Sequence, residues 1–127
     1  MLSISELKLK WNKEKNSYIK QEVGSGVQKF VKDVLKSAEI RNSEFTEESK
    51  TKAARKVDII IYINSEIIIP LEVEKYNDIE AGFDQLIQYQ SDLDKKYGIL
   101  TDGFTWRFYN NAYLLKEFTI NEIFSNT

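Results

Sequence analysis

Val57-Asp58-Ile59-Ile60-Ile61-Tyr62-Ile63, a break at Asn64-Ser65, and Glu66-Ile67-Ile68-Ile69-Pro70-Leu71-Glu72-Val73-Glu74-Lys75 form the centre of this 127-residue chain. Two β-branched runs separated by turn residues predict a hairpin of strands at about 57–63 and 67–75. Side chains alternate faces along a strand, so Glu72 and Glu74 share one face, and Asp58 shares a face with Ile60 and Tyr62. A two-residue turn would pair 63 with 66 and put Asp58 on the wrong side from both glutamates. A three-residue loop, Asn64-Ser65-Glu66, pairs 63 with 67 and sets Asp58 opposite Glu72. It also stacks Ile59, Ile61 and Ile63 on Leu71, Ile69 and Ile67. A slip of one residue would turn every side chain to the other face, so the apolar pattern and the acids select the same register independently. Pro70 donates no ladder hydrogen bond and marks a place where a bulge would shift it.

The elements outward of the hairpin complete an α/β pattern. Ile19, Val23, Val27, Phe30, Val31, Val34 and Leu35 recur at helical spacing and predict a helix over 17–37 with Ser17 as N-cap. Residues 3–12 fit either a strand (Leu7, Leu9, Trp11) or a helix (Ile4, Leu7, Trp11). Residues 42–56 lack an apolar period and read as a loop, with a short strand at 37–41 before it. Asn77-Asp78 opens a helix to about Asp94, with Ile79, Phe83, Leu86, Gln90 and Leu93 facing the core. Tyr97–Thr101 reads as a buried strand, Asp102-Gly103 as a turn, and Thr105–Tyr109 with Tyr113–Thr119 as a second hairpin. Helix, hairpin, helix, strand and hairpin predict an α/β sandwich with a mixed sheet, in one domain over residues 1–127.

Composition narrows the chemistry. At 42% hydrophobic the chain can build a core, and no run of 18 apolar residues predicts a membrane span. No cysteine is present, which removes disulfides and thiolate metal sites and suits the cytoplasm. No histidine is present either, which removes Ser-His and Cys-His nucleophile pairs. Catalysis, if any, falls to carboxylates, lysines, tyrosines and a hard metal ion. Residues 1–56 carry 13 Lys and Arg against 8 Asp and Glu, whereas residues 57–127 carry 5 against 12. A basic half beside an acidic half suits a polyanion-binding region next to a metal-binding centre, although ordinary surface charge gives the same totals.

Asp58, then Pro70-Leu71-Glu72-Val73-Glu74, then Gln85-Leu86-Ile87-Gln88-Tyr89 resemble the ordered Asp, Glu-x-Lys and Gln-x-x-x-Tyr series of RecB-like members of the PD-(D/E)XK nuclease superfamily. Residues 97–109, YGILTDGFTWRFY, resemble the strand-turn-strand that follows in type I restriction subunits and type IIG restriction enzymes. The resemblance covers roughly residues 17–118. It implies a three-layer αβα sandwich of restriction-endonuclease type around the mixed sheet. It also implies a Mg²⁺-dependent (or Mn²⁺-dependent) endonuclease domain acting on DNA in a restriction system. A methyltransferase, helicase or specificity part would lie outside this chain, which would then be the N-terminal piece of a longer protein. Two positions depart from the pattern: Val57 replaces the proline before Asp58, and Glu74 stands where a lysine is usual, with Lys75 displaced by one.

Asp58 and Glu72 are the expected direct metal ligands, with Glu22 on the first helix completing the set as the resemblance implies. Glu74 is a candidate ligand, water-holding group or general base. Three clustered carboxylates repel one another, so one should keep a proton near neutral pH when no metal is bound. Gln85 and Tyr89, at i and i+4, share a helix face and are candidates for orienting water or touching phosphate. Lys20, Lys29, Lys52, Arg55 and Lys56 are candidate phosphate contacts. Trp106, Phe108 and Tyr109 are read as packing. Each residue alone has a plain reading: strand-end turn residue, solvated strand face, polar helix flank or surface charge. Glu74 in the lysine position also favours an alternative, a catalytically inactive relative that binds nucleic acid or a partner protein.

Overall fold

The computed structural model describes residues 3–19, 25–37, 45–50, 56–62, 68–74 and 77–125. Helices α1 (Ile4–Ile19) and α2 (Ser25–Ser37) come first, followed by strands β1 (Phe45–Lys50), β2 (Lys56–Tyr62) and β3 (Ile68–Val73). A 3-10 turn (Ile79–Gly82) runs into α3 (Phe83–Leu93). Strands β4 (Tyr97–Thr101), β5 (Thr105–Asn110) and β6 (Tyr113–Thr119) then lead to a short α4 (Ile120–Ser125). The six strands form one sheet in chain order. Among the described strands only the β3–β4 pair is parallel, and α3 is its crossover. The sheet is therefore mixed, and helices cover both faces, as the sandwich reading expected.

The β2–β3 register is the one the isoleucine pattern demands. Ile59 pairs with Leu71, Ile60 with Pro70, Ile61 with Ile69 and Tyr62 with Ile68, which carries Asp58 level with Glu72. Pro70 keeps the register and makes no bulge. Residues 63–67, including the hairpin loop, lie outside the described residues.

Two apolar layers sandwich the sheet. Ile59, Ile61, Leu71, Val73, Ile99 and Trp106 pack against Leu7 and Trp11 of α1 and Val27, Phe30 and Val31 of α2. On the other face Ile60 meets Tyr89, and Leu100 and Tyr109 meet Leu86 with Ile79 and Phe83 beside them. Trp106 and Tyr109 are buried and Phe108 half-buried, so the three aromatics of β5 serve as packing. Lys10 and Asp33, 2.6 Å apart, join α1 to α2. Among the described residues no helix is long and apolar enough to cross a membrane.

Several boundaries differ from those read in the sequence. The first described helix starts at Ile4, and Ser17 lies inside it rather than capping the next one. A capping box decides the matter: the Glu6 amide donates to Ser3 Oγ and the Ser3 amide to Glu6 Oε1. Leu9, which gave the strand-like alternation, is 71% exposed. The second helix starts only at Ser25, with residues 20–24 outside the described set. Residues 45–50, read as loop, form β1 against β2. The strand expected at 37–41 is not borne out at Ser37, which ends α2, and residues 38–41 lie outside the described residues. Asp78 makes no side-chain cap, and α3 starts four residues beyond Ile79, after the 3-10 turn.

The turn between β4 and β5 ties the sheet to the α1–α2 layer. Gly103 has φ +89°, and a Cβ there would lie 2.9 Å from Val27 Cγ1 and 3.4 Å from Trp11. Its carbonyl accepts the Trp106 indole N–H at 3.3 Å. Both the left-handed backbone and the closeness of Val27 favour glycine. Gly103→Ala should lower stability by about 1–3 kcal/mol, as measured by urea unfolding, and it should do so without changing the m-value.

Candidate functional site

Asp58, Glu72 and Glu74 gather where β2 begins and β3 ends, on the face covered by α3. Strand alternation places Glu72 beside Ile60 and Leu100 on that face. Glu72 is only 5% exposed. Its Oε2 is buried and has no hydrogen-bond partner among the described residues. Asp58 Oδ2 accepts the Val73 amide at 2.9 Å, and Gln28 of α2 reaches the Asp58 carbonyl at 3.4 Å. Glu74, just past β3, is half-buried, and its amide donates to the Thr101 carbonyl at 2.8 Å.

The three acids influence one another strongly. Burial pushes the Glu72 carboxyl up to about 10, and the charges of Asp58 and Glu74 push the same way. Burial also raises Glu74, followed by the charge of Asp58, while its contact with Glu72 works in the opposite direction and Asp78 adds to the rise. A metal-free cluster therefore holds at least one proton near neutral pH. Even so, among the described residues no three acidic side chains are disposed as a ready cage for a cation.

Gln85 and Tyr89 do meet. The Gln85 amide donates to the Tyr89 hydroxyl, and Tyr89 is fully buried against Ile60. Burial, then the nearby Glu72, push the Tyr89 hydroxyl up to about 12. That pair therefore backs the acid cluster from the α3 side, and Tyr89 is closed off from solvent. Lys29 is exposed on α2. Glu22, Lys20, Lys52 and Arg55 lie outside the described residues, as does the Lys56 side chain. Lys75 lies outside them too.

Three residues that bear on the site drew no functional reading from the sequence. A Cβ on Gly82 would come within 2.6 Å of Glu74 Oε1 and 2.7 Å of Leu100 Cδ1, so the bare glycine leaves the space Glu74 occupies. Asp78 acts on Glu74 through charge. Asp102 is buried at 3% exposure although it was read only as a turn residue. Further along the same face, Arg107 holds Glu80 at 2.6 Å and Glu117 at 3.0 Å, fixing the 3-10 turn onto β5 and β6.

This arrangement of sheet, crossover helix and acid cluster defines an α/β domain with a carboxylate-lined centre. The family described as Type I restriction enzyme R protein N terminus matches residues 27–123. The chain belongs to that family, and so to a component of restriction systems. No curated protein and no solved structure matches it.

The acid cluster has a pH signature. A carboxyl raised from 4.5 to about 10 binds more protons folded than unfolded between those values. Its contribution to stability is thus full below about 4.5 and declines as pH rises toward 10. Glu72→Gln removes this decline and leaves a neutral side chain of similar shape. At pH 7 in chelator the variant should be more stable than wild type by roughly 1–3 kcal/mol, and calorimetry at pH 5, 7 and 9 should show a flatter profile.

Proposed function

We propose that this domain is the nuclease part of a restriction system, hydrolysing DNA phosphodiester bonds with Mg²⁺ held at Asp58 and Glu72. The observation that carries the reading is Glu72: its buried Oε2 receives no donor among the described residues, and it shares hydrogen bonds with Asp58 and Glu74 only by keeping a proton. Leaving such a group buried and unpaired costs several kcal/mol in a typical protein interior, on the order of 1–3 even when neutral. A hard cation with oxygen ligands would offset that cost, and the donor set is all oxygen. The residues therefore fit Mg²⁺ or Mn²⁺. When bound, the ion supplies charge neutralisation at the phosphoryl oxygens and a lower pKa for the attacking water.

The chain's own residues divide the remaining work. Asp58 and Glu72 bind the cation, and the Val73 amide orients Asp58 through Oδ2. Glu74, with its raised pKa, accepts a proton from the attacking water. Tyr89, fully buried and held by the Gln85 amide, forms the wall behind Glu72. Lys29, exposed on the helix whose Gln28 touches Asp58, contacts the phosphate backbone. DNA and the remaining parts of a restriction assembly are the partners this reading assigns.

Two observations favour a second reading. Glu74 stands in the lysine position, and the described acids do not form a ready cage. The same fold would then serve as an inactive module that binds nucleic acid or a partner protein.

Calorimetric titration with Mn²⁺ and nicking of supercoiled plasmid in Mg²⁺ separate the two. The nuclease reading expects metal binding that Asp58→Ala and Glu72→Ala each reduce at least tenfold, together with cleavage that either substitution abolishes. Wild-type protein that binds no metal would overturn it, and metal binding without cleavage would favour the inactive module.

A further inference from the structure

Glu74 and the segment Asn77–Gly82 are anchored at three points by groups outside them. The Glu74 amide donates to the Thr101 carbonyl at 2.8 Å. The Asn77 amide donates to Asp102 Oδ2 at 3.0 Å. Glu80 is held by Arg107 at 2.6 Å.

The middle anchor is unusual in its chemistry. The other oxygen of Asp102, Oδ1, accepts the Phe104 amide at 3.0 Å and the Thr105 amide at 2.8 Å, closing the β4–β5 turn. A single buried carboxylate thus receives three backbone donors from two separate loops. Thr101 Oγ reinforces the same turn, donating to the Thr105 carbonyl at 2.8 Å and accepting the Gly103 amide at 3.0 Å. Backbone N–H groups bound to a carboxylate are charge-assisted and stronger than neutral pairs. A turn alone needs only the Oδ1 bonds, since an Asx-type turn is closed by one side-chain oxygen. The Oδ2 bond has a different effect: it fixes Asn77, a non-glycine residue at φ 70°, at the start of the described stretch that leads to Gly82.

We propose that Asp102 is a positioning residue for the site, holding the Asn77–Gly82 segment so that Gly82 lies where it leaves room for the Glu74 carboxyl. The inference rests on the nuclease reading for its consequence, but the placement of Glu74 can be measured without metal. Leu100 Cδ1 borders the same point above Gly82 as Glu74 Oε1, so its methyl resonance reports where the Glu74 carboxyl lies.

Asp102→Asn separates the two bonds. The amide oxygen can still accept from Phe104 and Thr105, while the amide nitrogen faces the Asn77 N–H and cannot accept from it. In the full chain, Asp102→Asn should retain the far-ultraviolet circular dichroism spectrum and lose protection of the Asn77 amide against hydrogen exchange. The Leu100 methyl resonance should move toward its position in Glu74→Ala. Plasmid nicking in Mg²⁺ should fall about tenfold, and combining Asp102→Asn with Glu74→Gln should lower it no further than Glu74→Gln alone. Where Asp102→Asn unfolds, Asp102→Ser keeps a turn-closing hydroxyl too short to reach Asn77 and is read in the same way.

An unmoved Leu100 methyl resonance despite loss of Asn77 protection would overturn the proposal. So would fully additive effects of the two substitutions on plasmid nicking. If wild type does not nick plasmid, the nuclease reading fails by itself, and the Leu100 methyl resonance alone decides the positioning role.

Discussion

The antiparallel register between β2 and β3 is the constraint on which the rest depends. Pairing Ile59 with Leu71 and Ile61 with Ile69 gives one sheet face to the α1–α2 layer. The same pairing turns Asp58 and Glu72 to the other face, under α3. Because strand side chains alternate strictly, neither outcome is available without the other. The core thus sets the position of the acids, and burying the isoleucines offsets the cost of burying a carboxyl. Full burial of one such side chain is worth about 1.5–3 kcal/mol, comparable to the penalty for an unpaired buried polar group.

The surroundings of Glu72 then follow from the parallel β3–β4 pair. Parallel strands need a crossover, and here the crossover is the 3-10 turn and α3. That route brings Tyr89 and Gln85 behind Glu72 and Gly82 beneath Glu74. It also carries the chain past the β4–β5 turn, where Asp102 meets the Asn77 amide. Burial of Arg107 works against its charge, but Glu80 and Glu117 more than offset this and keep it cationic. The acid cluster, its wall and its braces are one consequence of a strand order that runs in chain sequence.

The parts of this architecture written in periodic apolar patterns were legible before any coordinates. The β2–β3 register, α3 and the three C-terminal strands follow from the spacing of isoleucine, leucine and aromatic residues. β1 was not legible, because Phe45–Lys50 reads FTEESK, with a single apolar residue and no alternation. Its strand state comes from pairing with β2, a tertiary effect that local propensity does not encode. The α1 start was available in Ser3-x-x-Glu6, and the same box recurs at Thr119-x-x-Glu122 before α4. Neither box leaves a mark in the hydrophobic periodicity. At the site, Asp58, Glu72 and Glu74 were found together because their spacing and register converge. Gly82 and Asp102 were not, since a glycine that makes room and an aspartate that bridges two loops leave no spacing signal. Only the folded chain shows what each one faces.

The central claim is that the orphaned oxygen of Glu72 marks a cation site formed by this chain's carboxylates. The most direct measurement is an anomalous difference map from crystals grown with Mn²⁺. A peak within coordination distance of Glu72 Oε2, shared with Asp58 and absent from Glu72→Gln crystals, is the predicted result. A map with no peak there, and with Glu72 Oε2 satisfied by a water or a protein donor, would contradict the account.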